Sequence, residues 1–291
     1  MKKITQTLLV PLAFTFIVSC TGSKPVAMVG DKKITKNDVE LRLSMMKVFN
    51  PQMNEKAAVE QLIRSETLLQ ILKNKGIEVK DQMVEMEMTK LKGTSKNNPK
   101  LEALMKDYGS KKKFKDLYIV PTLVEGLAFR EAFQKDTVFH KEENEKMEKL
   151  LAAVKSNPSK LEESAKQMGV SLKKGVIKDK EGLTWDSSDR DVAHMPVLPS
   201  GVGFGQFFKK MVLEKTPTGK VSEKVETIGQ LMAVVRNDSS SKDSSKFTVA
   251  MVARKNFGDW FNQNSQSIKV NRLEEANANA QKSPMPATKT N

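Results

Sequence analysis

Residues 203–237 read GFGQFFKKMVLEKTPTGKVSEKVETIGQLMAVVRN, and their order decides the fold expected around them. The phenylalanines Phe204, Phe207 and Phe208 open the stretch, a Pro217-Thr218-Gly219 turn follows, and two short apolar runs are separated by Gly229. An aromatic cluster, a Pro/Gly turn and interrupted apolar runs predict a helix, a turn and paired strands in succession.

On either side of this stretch the signals change. Upstream, Val170 to Trp185 is extended and interrupted by Lys and Gly, and Asp186 to Ser200 has the Asp, Ser and Pro content of a loop. Before it, Glu142 to Ser156 places Met147, Leu150, Leu151 and Val154 on one side of a charged helix, and Asn157-Pro158 starts another that ends near Gly169. Downstream, residues 239–246 form a polar linker around a serine cluster. Val249, Ala253, Phe257, Trp260 and Phe261 then recur at helical spacing, and Ser267 to Asn271 reads as a strand. Residues 273–291, rich in Asn, Ala, Lys and Pro, are expected to be disordered.

The first half of the chain is helical in pattern. Val26 to Val29 and Lys33-Ile34 flank Gly30-Asp31 as a small hairpin, and Thr35 with Asp38 makes a capping-box start for a helix marked by Val39, Leu43 and Met46. Asn54 caps a second helix that closes at Gly76, Asp81 opens a third, and Asn98-Pro99 opens a fourth. The longest pattern runs from about Lys111 to Gln134. Pro121 lies inside it, and a residue without an N–H should kink that helix or split it in two.

With 291 residues and 38% hydrophobic content, the chain has material for two packed domains. The fold class expected is α+β and mostly helical. A formal charge of +14 raises the question of nucleic acid, but with only 2 Tyr, no Arg-rich run and no aromatic nucleic-acid motif, a solvated basic exterior is the better account. The 16 Met residues supply side chains that adapt to irregular apolar partners.

Lys2 and Lys3 precede an apolar run from Leu8 to Val18, too short to span a bilayer and suited to the h-region of a signal peptide. That run ends in Ile17-Val18-Ser19-Cys20, which looks like a bacterial lipobox with Cys20 as the lipidated residue. The resemblance implies a signal peptide over 1–19, a tether over 20–25, and lipid anchoring on the periplasmic side of a bacterial membrane. Thr21 after Cys20 points to the outer membrane.

The stretches VAMVGDKKITKNDVELRL and LIRSETLLQILKNKGIEVKDQMVEMEM resemble the opening of SurA-type and PrsA-type chaperones. EKMEKLLAAVKSNPSKLEESAKQMG and residues 203–237 are similar to parts of a parvulin-type peptidyl-prolyl isomerase domain. The combined resemblance implies a helical SurA-like lobe built from both chain ends (26–139 and 247–272) with a small inserted parvulin-like α/β domain over 140–238. Its partners are expected to be unfolded or nascent secreted and outer-membrane polypeptides, with no nucleic acid, no metal and no cofactor. Phe204, Phe207, Phe208, Met211, Phe114 and Tyr118 are the expected peptide-binding residues.

A parvulin site places one histidine on its opening strand and a second on its last strand, beside an apolar pocket. Here Ile228-Gly229-Gln230-Leu231-Met232 occupies the last-strand position, so Leu231 stands where the family has histidine. The 2 histidines, His140 and His194, are weak catalytic candidates and read as surface or loop residues. A parvulin-like domain without isomerase activity is expected from this departure from the family pattern, with an active isomerase and a lipoprotein devoted to one partner as the alternatives.

Overall fold

In the computed structural model, the described residues are 24–95, 98–108, 111–178, 180–185, 201–237 and 244–273. Cys20, His194, the expected loop 186–200, most of the linker and nearly all of the expected disordered tail lie outside them.

In chain order, β1 (Pro25–Val29) and β2 (Lys32–Thr35) form a hairpin. Then come α1 (Lys36–Phe49), α2 (Glu55–Asn74), α3 (Asp81–Ser95), α4 (Pro99–Asp107) and α5 (Lys111–Phe114). A π-helical turn (Lys115–Ile119), α6 (Val120–Leu127) and a second π-helical turn (Ala128–Phe133) continue α5, and α7 (Lys141–Val154) and α8 (Leu161–Gln167) follow. Next are β3 (Ser171–Lys178), β4 (Gly182–Trp185), and α9 (Val202–Phe208), which a π-helical turn (Lys209–Leu213) extends. The chain then forms β5 (Val225–Glu226), β6 (Gln230–Arg236), β7 (Ser244–Ala253), α10 (Phe257–Ser265) and β8 (Val270–Arg272). The protein is α+β, with two antiparallel sheets among its described residues.

Local chemistry sets many of these boundaries. Thr35 Oγ1 accepts from the N–H of Asp38 at 3.3 Å while the Asp38 carboxylate accepts from the N–H of Thr35 at 3.0 Å, the reciprocal box that starts α1. Asn54 and Asn98 cap α2 and α4 through their side-chain oxygens. At the end of α2 the N–H of Ile77 bonds to Leu72 O and that of Gly76 to Lys73 O. Gly76 takes φ +71°, which glycine reaches without a Cβ penalty.

The chain divides into two compact units. The first comprises residues 1–66, 88–119 and 269–291, and the second comprises 67–87 and 120–268. In the first, β1 lies between β2 and β8 in the order β2-β1-β8, with Ala27 opposite Arg272 and Val29 opposite Val270. Val29, Val39, Met45, Ala58, Leu101 and Ile119 are buried there. Arg42 is buried as well: its Nε and Nη2 donate to Gln61 Oε1, and its Nη1 donates to Leu117 O at 3.2 Å.

That last bond explains how the long helix passes Pro121. In an uninterrupted α-helix Leu117 O would accept from residue 121, and proline has no N–H to give. Arg42 supplies a donor to that carbonyl. Of the kink or split expected at Pro121, the split does not occur: helical structure continues from Lys111 to Phe133, with a change of pitch over Lys115–Ile119.

In the second unit the sheet order is β4-β3-β7-β6-β5. Strand alternation sorts its central residues onto two faces. Leu231, Ala233, Val235, Ala250 and Val252 pack with Met147, Leu150 and Val154 of α7 and Leu161 and Ala165 of α8. Met232, Val234, Val249, Met251 and Phe247 pack with Phe208, Val212 and Leu213 of the helix through α9. A third core in this unit gathers Leu68, Ile71, Leu72, Val124, Leu127, Phe133, Phe139 and Trp260.

One expected element changes type. Val249 and Ala253 belong to β7 and not to a helix, and Ser244 to Lys246, expected in the linker, form its start. The run Val249-Ala250-Met251-Val252 is apolar throughout because β7 is covered on both faces, and such a run carries no period to separate strand from helix. Helical structure resumes at Phe257, and the strand expected at Ser267 to Asn271 occupies Val270–Arg272.

Candidate functional site

The helix through α9 meets the sheet through Phe204, Phe208 and Val212, spaced by one turn each. Its approach is close. A Cβ placed on Gly205 would lie 2.7 Å from Leu183 N and 3.1 Å from Gly182 C, both backbone atoms of β4. Glycine is what allows the two elements to touch.

From this contact an aromatic series runs outward from the sheet. Trp185 meets Phe247 edge-on at 5.7 Å between ring centroids, Phe247 meets Phe208 at 5.2 Å, Phe208 stacks with Phe204 at 6.0 Å, and Phe204 meets Phe207 at 6.5 Å. Burial falls along the series, from 2% exposure at Phe208 to 60% at Phe207. Met211, one turn beyond Phe207, is 49% exposed. A buried aromatic base thus backs Phe207, and with Met211 it leaves two large apolar side chains in water, which a closed core does not require.

The expected peptide-binding residues consequently divide. Phe207 and Met211 are exposed and Phe204 is half-buried at their base, whereas Phe208 belongs to the core because it falls on the helix face turned to the sheet. Phe114 is also core, at 2% exposure in the first unit, where it meets Tyr108 edge-on at 4.9 Å. Tyr118, partly buried in the same unit, lies under the Arg42 guanidinium at 5.4 Å. Neither of these two joins the α9 cluster, which belongs to the second unit. Trp185 and Phe247 were missed as parts of the site. The extended run Val170 to Trp185 pointed to Trp185 alone, because the strand that carries Phe247 gives no sign of itself in the sequence.

His140, expected at the surface or in a loop, lies in the turn before α7 but is 1% exposed, in contact with the rings of Phe133 and Phe139. Its Nε2 lies 3.2 Å from Phe133 O, so that nitrogen carries the proton and donates. Burial, reinforced by the nearby Arg254 cation, pushes its pKa below the ordinary value. Arg254 itself links three segments of the unit, bonding to Glu226, to Thr227 O and to Gln134 O.

The open cleft here, of about 600 Å³, is lined by His140, Lys141, Asn144, Glu145, Glu148, Lys224, Glu226 and Arg254. Its charges pair with one another, as in Arg254–Glu226 at 2.6 Å and Lys224–Glu148 at 3.7 Å.

Leu231 is wholly buried and faces α7 and α8, the opposite side of the sheet from Phe208. A histidine at that position would point away from the phenylalanine cluster. Residues 137–140, which carry the first of the two histidines, form turns leading into α7 and not a strand. The strand beside β6 at the sheet centre is β7, which follows it in the chain, and neither strand contains histidine. Among the described residues no group of three or more His, Cys, Asp or Glu side chains is placed to hold a metal ion. No helix among them is long and apolar enough to cross a membrane.

No family model matches the chain, and no curated protein matches it.

Proposed function

We propose that this protein is a SurA/PrsA-type chaperone, lipid-anchored through Cys20 to the outer membrane on its periplasmic side, that holds unfolded secreted or outer-membrane polypeptides. Its parvulin-like domain binds peptide without isomerising it. The observation that carries this reading is the exposure of Phe207 and Met211 above a rigid aromatic base. A holdase needs apolar groups that remain in water without collapsing into their own core, and Met adapts to many client side chains. The loss of both parvulin histidines from the central strands supports the binding role over catalysis, because lowering a rotation barrier of about 18–20 kcal/mol needs placed polar groups beside the amide. Cys20 at the end of the apolar leader supports the anchor.

Suppression of aggregation of an unfolded outer-membrane protein tests the reading. The chain should delay aggregation, and Phe207→Ser with Met211→Ser should weaken client binding on the order of tenfold through the lost apolar area, with unchanged thermal stability. Equal protection by the double variant would remove the assignment. In a protease-coupled prolyl isomerisation assay turnover should stay at background. Substantial turnover that disappears in His140→Ala would put an isomerase in its place.

A further inference from the structure

We infer that the exposed face of α9 selects client segments in which apolar residues are flanked by acidic ones, a substrate class that rests on the chaperone reading above. Phe207, Lys210 and Met211 stand at i, i+3 and i+4 and all three are exposed, so an ammonium group shares one side of the helix with the two apolar side chains. One turn before Phe207, Gly203 is exposed with nothing within 4 Å of where a Cβ would lie, so no side chain at that position covers the ring.

The charge along this segment is mostly positive. Between Gly203 and Lys220 the chain carries Lys209, Lys210, Lys215 and Lys220, and Glu214 is the one acidic residue. Exposed ammonium groups add little affinity of their own, but they attract carboxylates and repel other cations as a client approaches. Apolar contact therefore holds the segment and charge decides which segment is held.

An anionic lipid surface offers the same negative charge. A helix that lies in a membrane interface, however, presents a long apolar face to it. Here Phe204, Phe208 and Val212 are committed to the sheet, and Phe207 and Met211 are what the helix turns outward. A face of that width suits single side chains of a peptide.

The test uses the full chain and two short fluorescent peptides with the same Leu/Val/Phe centre, one flanked by Asp and Glu and the other by Lys, with phosphatidylglycerol vesicles as a third probe. At low salt the acidic peptide should bind about threefold more tightly, and the difference should vanish near 1 M salt, where the screening length is about 3 Å. Lys210→Glu with Lys215→Glu should reverse the preference, whereas Phe207→Ser should weaken both peptides alike. Equal binding of the two peptides, unmoved by charge reversal, overturns the selection and leaves the chaperone reading intact. Failure of both peptides to bind overturns the two together. Capture by vesicles through Phe207 and Lys210, without peptide binding, replaces the client with a membrane surface.

Discussion

Asp136 concentrates more of the second unit's polar bonding than any feature of its sequence announces. Its Oδ2 accepts from Lys75 Nζ at 2.8 Å and from Trp260 Nε1 at 3.0 Å, and its Oδ1 accepts from the N–H of Phe139 at 3.0 Å. Burial by itself pushes the carboxyl up, but the donors from Lys75, Phe139 and Trp260 outweigh it and hold the pKa below its ordinary value. A depressed folded pKa means that the stabilisation is complete above the unfolded value of about 3.9 and is lost as pH falls through the folded value. Asp136→Ala, which leaves the Trp260 indole N–H buried without its acceptor, should therefore cost about 1–3 kcal/mol near neutrality. In urea titrations the gap to the wild type should narrow below about pH 4; a gap that persists undiminished at pH 2 would refute the role given to the carboxylate. Caps such as Thr35, Asn54 and Asn98 were legible in the sequence because donor and acceptor lie three residues apart. Asp136 was not, because Lys75 and Trp260 reach it from 61 and 124 residues away.

At the level of elements, α9 and β4 meet where a side chain would not fit. Gly205→Ala places a methyl group against the backbone of Gly182 and Leu183, which cannot rotate aside as a side chain would. Overpacking of this kind costs about 1–3 kcal/mol. The urea midpoint should fall accordingly, and because the aromatic series rests on α9, the proposed peptide binding should weaken with it. An unchanged midpoint would show that α9 moves off β4 without penalty. Much of the element order was readable, since the hairpin β1–β2, the capped helices and the paired strands β5 and β6 each carry their own local signal. The strand β7 carries none, because coverage of both faces erases the alternation that marks a half-exposed strand. Half of the candidate site was readable for the same physical reason. Phe204, Phe207 and Phe208 announce an apolar cluster, but which of them faces water depends on how α9 is turned against the sheet.

For the whole molecule, the strand order ties distant parts of the chain together. β8 closes one side of β1, and Arg272 makes a bidentate contact with Glu60, at 3.0 Å from Nε and 2.9 Å from Nη2. Truncation after Lys269 removes both. Amide exchange in β1 should then accelerate while that in β6 and β7 is little changed; protection in β1 equal to that of the full chain would argue that the β8 pairing adds nothing to stability. The same topology bears on how the chain is made. β7 lies between β3 and β6, yet it follows both in sequence, and β8 is the last strand described. During synthesis from the N-terminus, the hairpins β3–β4 and β5–β6 exist before the strand that joins them, and β1 waits for β8. Neither sheet reaches its final form until its last strand, β7 in one and β8 in the other, has been made, so completion of the fold is a late event and the nascent chain passes through an apolar-exposed state before it.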